Sequence, residues 1–144
     1  FREVLAAISD GGPKFVTLHS RRAELAVLDE LAEFRIGPVV FHWFSGPSVA
    51  LKRVIDAGHF FSINPPMTQS TTGQDLIRQM PRERILIETD GPYTRLGSVP
   101  CKPWDVKVVH KYLAQEWSTS EAEVAGRVWS TFRSLVSSVA ASDV

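Results

Sequence analysis

Arg84-Ile-Leu-Ile-Glu-Thr-Asp-Gly-Pro-Tyr93 is a short apolar run that ends in two carboxylates and is stopped by Gly91-Pro92. Side chains alternate between faces along a strand, so Glu88 and Asp90 project together while Ile85, Ile87 and Thr89 take the opposite side. A carboxylate withdrawn from water without a partner is strongly unfavourable, so something must compensate this pair. An isolated Glu-x-Asp of this kind commonly caps a turn or pairs with arginine. In α/β folds, however, the carboxyl ends of strands are where chemistry is placed.

Working outward, the same pattern of apolar strand, polar strand end and helix recurs. Upstream, Phe15-Val-Thr-Leu-His19 reads as a strand closed by a histidine, and Arg21 to Glu33 as a helix with a wide apolar face. Val39-Val-Phe-His42 is a second strand closed by histidine, and a helix is expected from Ser48 to Ala57. His59-Phe-Phe-Ser-Ile63 is a third strand, closed by Asn64-Pro-Pro66. Met67 to Asp75 is rich in Thr, Gln and Ser and reads as a long loop entering a short helix from Gly73 to Gln79. Arg84 to Glu88 is then the fourth strand. Strand starts at 15, 39, 59 and 84 lie 24, 20 and 25 residues apart. This is a βα repeat, which gives a parallel sheet with right-handed crossovers.

The flanks complete the outline. Phe1 to Ile8 has helical spacing, ended by Ser9-Asp-Gly-Gly-Pro13. Gly91 to Pro103 has no regular pattern and is long enough to suggest a functional loop. Trp104 to Trp117 returns to helical spacing, and Ser120-x-x-Glu123 is a capping box opening a last helix with Val124, Val128, Phe132, Leu135 and Val136 on its stripe. The tail 142–144 is expected to fray.

With 144 residues, 44% hydrophobic and 22% charged, the chain has the composition of a single folded domain spanning residues 1–144. Sixteen basic and sixteen acidic residues balance, so any polyanion site must be local. The single Cys101 excludes an internal disulfide framework and fits a reducing, cytoplasmic setting. No apolar run approaches the roughly 18 residues of a membrane span, so no membrane association is expected. Phe1-Arg-Glu-Val reads as the middle of a helix rather than a signal peptide, which implies sequence upstream. Four βα units fall short of an eight-stranded barrel of about 250 residues. The fold is therefore either a small open α/β domain or the second half of a barrel.

All carboxyl ends lie at one edge of a parallel sheet, so His19, His42 and the Glu88/Asp90 pair can meet. Imidazole and carboxylate together form a ligand set for zinc or manganese, and with waters for magnesium. A lone strand-end histidine is usually structural, but two of them plus a strand-end acid in successive units favour a metal site. His59 begins its strand and His110 lies within a helix; both read as structural. Cys101 reads as an ordinary loop cysteine. Arg21 and Arg22 follow His19 at a helix start, where an arginine either reaches a phosphate or a strand-end carboxylate or is simply solvated or structural. The Ser45-Gly46 backbone could bind an anion or merely form a turn. Trp43, Trp104 and Tyr93 flank the inferred mouth and either stack on bases or pack.

These residues resemble the TatD-related metal-dependent deoxyribonucleases. The likeness lies in His19-Ser-Arg21-Arg-Ala23, Val40-Phe-His42-Trp-Phe-Ser-Gly46, Ile87-Glu-Thr-Asp90-Gly-Pro-Tyr93 and Ser120-x-x-Glu-Val124, in matching order and spacing over nearly the whole chain. It implies the C-terminal part of a TIM-like (β/α)8 barrel of the metal-dependent hydrolase (amidohydrolase) type, about four βα units plus C-terminal helices. It further implies a divalent metal cofactor (Mg, Mn or Zn) held by His19, His42 and Asp90, with Asp90 catalytic, and a metal-activated water that cleaves phosphodiester bonds of DNA. Glu88, Arg21, Ser45 and Gly46 are implied as supporting or substrate-binding residues.

Departures accompany the resemblance. The family's opening His-x-His pair and bridging Glu are missing, so this chain is expected to be a partial one that by itself binds metal weakly. Val99-Pro-Cys-Lys-Pro103 stands where the family usually has an Arg-Asn-Glu-Pro-like segment, and Trp43 replaces a smaller residue. Such divergence resembles TatD-like subunits of Qat-type antiviral defence systems, which work beside other subunits of a complex. Two alternatives follow: a degenerate module that binds nucleic acid or protein without cleaving, and an amidohydrolase-superfamily enzyme acting on a small substrate.

Overall fold

Four parallel strands in the order β1-β2-β3-β4 form the centre of the molecule. The computed structural model describes residues 1–12 and 14–141. After α1 (Arg2–Asp10) come β1 (Thr17–Leu18), α2 (Glu24–Glu33), β2 (Val40–His42), α3 (Ser48–Asp56) and β3 (Phe60–Ile63). Then follow α4 (Pro65–Gln69), α5 (Thr71–Gln79), β4 (Ile85–Ile87), a hairpin of β5 (Arg95–Leu96) and β6 (Val99–Pro100), α6 (Lys107–Trp117) and α7 (Glu121–Ala141). The expected βα order is present.

Register explains why these apolar strands tolerate polar ends. Phe41 pairs with Phe61, His42 with Ser62, and Ser62 with Leu86. Period two then sorts the sheet into two faces. Phe41, Phe61, Ile63 and Ile85 belong to the main core, together with Val27, Leu31, Leu51, Val54, Ile77, Val109 and Leu113 from the helices. Val40, Phe60 and Leu86 occupy the other face and pack with Leu135 of α7. His42, Ser62 and Glu88 lie two residues further along β2, β3 and β4, so they take this second face at its carboxyl end. Covering both faces is why the strands carry nearly continuous apolar runs.

Several local expectations change. The expected long loop from Met67 is instead helical, α4 over Pro65–Gln69, and the helix expected from Gly73 to Gln79 is present as α5, beginning two residues earlier at Thr71, because the polar residues act as caps. The Asn64 side chain accepts from the Met67 N–H with Pro65 in the first turn, and Ser70 Oγ accepts from the Gly73 N–H at 3.1 Å. A methyl group on Gly73 would sit 2.7 Å from Met67 Cα, so only glycine lets α5 fold against α4 this closely. β1 is two residues long, leaving His19 just beyond it. α2 begins three residues later than expected because the Arg22 backbone is left-handed at φ 65°. Gly91 to Pro103 holds the β5–β6 hairpin, turned by Gly97 at φ 62°, and Pro103 to Val106 is a 3-10 turn ahead of α6.

Other expectations hold. The Ser120–Glu123 capping box is formed, with the Glu123 N–H donating to Ser120 Oγ at 3.2 Å and the Ser120 N–H donating to Glu123 Oε2 at 3.0 Å. The Thr119 hydroxyl, foremost, and the Ser120 N–H and hydroxyl donate to the Glu123 carboxylate and lower its pKa to about 2. His59 is structural: it is buried, its Nδ1 accepts from the Val39 N–H at 3.3 Å, and desolvation with a secondary effect of Arg84 lowers its pKa to about 4. The expected tail at 142–144 lies outside the described residues. No helix among the described residues is long and apolar enough to cross a membrane.

Candidate metal centre

His42 is the hub of the strand-end cluster. It ends β2, and its ring is held from both sides by the acids at the end of β4. Nδ1 bonds the Glu88 Oε2 carboxylate oxygen, while Nε2 faces Asp90 Oδ1 at 3.4 Å. The three side chains are only 16–17% exposed, so their mutual geometry is set by packing rather than by solvent. The His19 ring stands edge-on to the His42 ring, with centroids 4.3 Å apart and an interplanar angle of 78°.

The two acids reach His42 by different backbone routes. Glu88 continues the strand alternation, and its N–H donates to the Ile63 carbonyl at 2.9 Å. Asp90 lies past β4 with a left-handed backbone, φ 53°. The loop that follows is knitted to it, since the Thr94 N–H donates to the Asp90 carbonyl at 3.1 Å and the Cys101 N–H to the Thr94 carbonyl at 2.9 Å. Alternation therefore predicts the face of Glu88, whereas Asp90 is aimed by a turn.

A cleft of about 680 Å³ opens beside the cluster and is lined by His19, Arg21, Trp43, Ser45, Asp90 and Tyr93. Four of the expected site residues thus share one opening. Tyr93 is 86% exposed, which leaves its ring free to meet a ligand. Glu88 lines a different cavity, on the face covered by α7, with Thr17, Val40, Ser62 and Leu86. Gly46 is not among the cleft-lining residues; a Cβ there would lie 2.7 Å from the Glu24 side chain, so its small size serves packing. Glu24 is buried and its Oε1 accepts from the Arg22 N–H at 3.0 Å, which fixes the turn carrying Arg21.

Two residues escaped the reading of the strand ends. The Ser62 hydroxyl donates to Glu88 Oε2, and Asn64 Nδ2 donates to Glu88 Oε1 at 3.3 Å. The available signal was a serine inside the apolar run Phe60-Phe-Ser-Ile-Asn64, since a buried polar residue must have a partner.

The donor chemistry suits a divalent ion. Donors that share an ion at about 2.0–2.2 Å each stand roughly 3.4 Å apart at a tetrahedral angle, which matches the Nε2 to Oδ1 separation. A metal-binding histidine also commonly donates its other ring N–H to a carboxylate, the place Glu88 occupies. Among the described residues the donors meet in pairs: no group of three or more His, Cys, Asp or Glu is close enough together to hold an ion.

Parallel βα units with imidazole and carboxylate gathered at their strand ends are the arrangement of a barrel-type α/β scaffold. The chain belongs to the TatD related DNase family, whose pattern it matches over residues 1–137. It is 39% identical over 113 residues to Deoxyribonuclease TATDN3 of Homo sapiens, covering 76% of this chain and 40% of that protein. It is 31% identical over 106 residues to the "Uncharacterized metal-dependent hydrolase TatD" of Mycobacterium tuberculosis (strain ATCC 25618 / H37Rv), covering 67% of this chain and 40% of that one. In three dimensions it resembles the crystal structure of YJJV, a TatD homolog from Escherichia coli K12, with TM-score 0.73 and 24% identity over 83% of this chain and 49% of that chain. The chain spans about two-fifths of the length of the curated relatives it matches.

Proposed function

We propose that the protein containing this chain is a metal-dependent hydrolase of the TatD DNase type that cleaves phosphodiester bonds in DNA. The observation that carries this reading is His42 held between Glu88 and Asp90, with Nε2 and Asp90 Oδ1 3.4 Å apart beside an open cleft. His19, His42 and Asp90 are the residues that would hold a divalent ion, magnesium, manganese or zinc. Such an ion, when bound, polarises a phosphoryl oxygen and makes a water acidic enough to serve as nucleophile near neutral pH.

The protein side chains supply the rest. Glu88 holds Nδ1 of His42 and so directs Nε2 toward Asp90. Asp90, at the cleft wall, is the catalytic carboxylate that accepts from the reacting water. Arg21 presents a guanidinium to the same opening, suited to a phosphodiester oxygen. The Ser45-Gly46 backbone turns beside it. Trp43 and Tyr93 give flat apolar walls on which the bases next to the scissile phosphate stack.

Residues 1–144 are, in this reading, a single incomplete domain, the C-terminal half of the barrel. The four-stranded sheet, whose outer strands β1 and β4 have no further neighbour among the described residues, and the greater length of the relatives support it. The buried Cys101 thiol suits a cytoplasmic setting. A second reading is a TatD-like module that binds nucleic acid or other subunits in an antiviral defence complex without cleaving. The pairwise grouping of donors among the described residues supports it.

The test is DNA hydrolysis by the full-length protein with each of the three metals, beside His42→Ala and Asp90→Asn. Loss of cleavage in both variants is expected. Undiminished cleavage in both would remove the ligand assignment, and absence of cleavage in the wild type with retained DNA binding would favour the second reading.

A further inference from the structure

We infer that Ser62 and Asn64, both from the β3 end, are positioning residues for His42, acting through the Glu88 carboxylate. The inference rests on the reading of His42 as a metal ligand and deepens it.

Two donors and the His42 ring converge on the Glu88 carboxylate. Oε2 takes the Ser62 hydroxyl and lies against His42 Nδ1, and Oε1 takes Asn64 Nδ2 at 3.3 Å. A glutamate has three rotatable side-chain bonds, so contact with His42 alone would leave its carboxylate free to turn. Donors from the neighbouring strand on both oxygens fix that rotation, and the His42–Ser62 register pair places one of them directly beside the imidazole. Ser62 Oγ also lies 3.4 Å from His42 Nδ1.

Asn64 has no alternative orientation. It is fully buried, and its Oδ1 must accept from the Met67 N–H at 3.2 Å to cap α4. An amide that spends its oxygen on the cap has only its NH2 left to offer Glu88. The fold thus locks the amide, the amide and the hydroxyl lock the carboxylate, and the carboxylate demands a proton on His42 Nδ1. Nε2 is left as the lone-pair nitrogen facing Asp90, the tautomer an ion between them requires.

A purely structural role for Asn64 is separable from this one. Serine is as good a helix cap as asparagine but too short to reach Glu88, so Asn64→Ser keeps the cap and removes the donor. Ser62→Ala removes the other donor, and Ser62→Thr restores a hydroxyl. The full-length protein, labelled with 15N-histidine, stripped of metal and held at mildly alkaline pH, reports which ring nitrogen of His42 carries the proton; His42→Gln assigns the signal. Manganese titration of the same samples reports affinity.

In the wild type, one tautomer protonated at Nδ1 is expected. In Asn64→Ser with Ser62→Ala it should become a mixture, with manganese affinity falling by about 10–100-fold, and Ser62→Thr should hold the wild-type tautomer. A wild type protonated at Nε2, or variants that keep the wild-type tautomer and affinity, would overturn the inference. A wild type that shows the Nδ1 tautomer but binds no manganese would instead refute the metal reading and leave the positioning intact.

Discussion

Gly91→Ala is expected to disable the site without touching a ligand. Gly91 follows Asp90 and packs against the backbone of Cys101. A methyl group added there would lie 2.7 Å from the Cys101 carbonyl carbon and 3.3 Å from its Cβ, and closer still to the carbonyl oxygen. Nonbonded carbon atoms prefer about 3.5–4.0 Å, so one of the two backbone segments must move by about 1 Å. Cys101 is buried and its N–H is tied to Thr94, whose own N–H is tied to the Asp90 carbonyl, so the displacement falls on the turn that aims Asp90.

Overpacking of this kind costs about 1–3 kcal/mol. A shift of about 1 Å in a reacting group lowers turnover by roughly 100-fold. Thermal melts and DNA cleavage by the full-length protein measure the two effects. Gly97→Ala is the control. Its left-handed backbone, φ 62°, strains a side chain, but nothing lies within 4 Å of the added carbon, so stability should drop by about 1 kcal/mol with cleavage retained. A Gly91→Ala protein as stable and active as the wild type would refute the claim that this close approach aims Asp90.

His59 makes stability depend on pH. Its folded pKa of about 4 lies below the ordinary imidazole value, so the unfolded chain binds the proton more readily; its contribution is complete above about pH 6.5 and is lost as pH falls toward 4. The loss should approach roughly 3 kcal/mol. Urea midpoints across that window, compared with His59→Leu, isolate it from carboxylate titration; an identical pH slope in the variant would contradict the assignment. Leu135→Ala should cost about 2–5 kcal/mol, because Leu135 is fully buried against Val40, Phe60 and Leu86, whereas the half-exposed Val136 replaced by alanine should change stability by about 0.5 kcal/mol or less. Equal denaturation midpoints for the two variants would show that α7 does not seal that face.

The strand ends were legible in the chain because two independent signals coincide there. Apolar runs near 39–42, 59–63 and 84–88 each stop at a polar residue, and a parallel sheet places such stops along one edge. His19, His42 and Asp90 could therefore be grouped before any register was known. Ser62 and Asn64 could not, because their meaning depends on which residues stand beside them: Ser62 acquires a role only once it is paired with His42. The α4 helix and the first turn of α5 were hidden for a related reason. Asn64 and Ser70 resemble loop residues in composition, and only their bonds to Met67 and Gly73 reveal them as caps. The left-handed turn at Asp90 leaves no signal in hydrophobic periodicity.

The most direct measurement is an anomalous-scattering map from crystals of the full-length protein grown with manganese. A peak is expected within about 2.0–2.3 Å of both His42 Nε2 and Asp90 Oδ1, absent in Asp90→Asn. A manganese peak elsewhere in the molecule, with none between those two atoms, would contradict the ligand assignment.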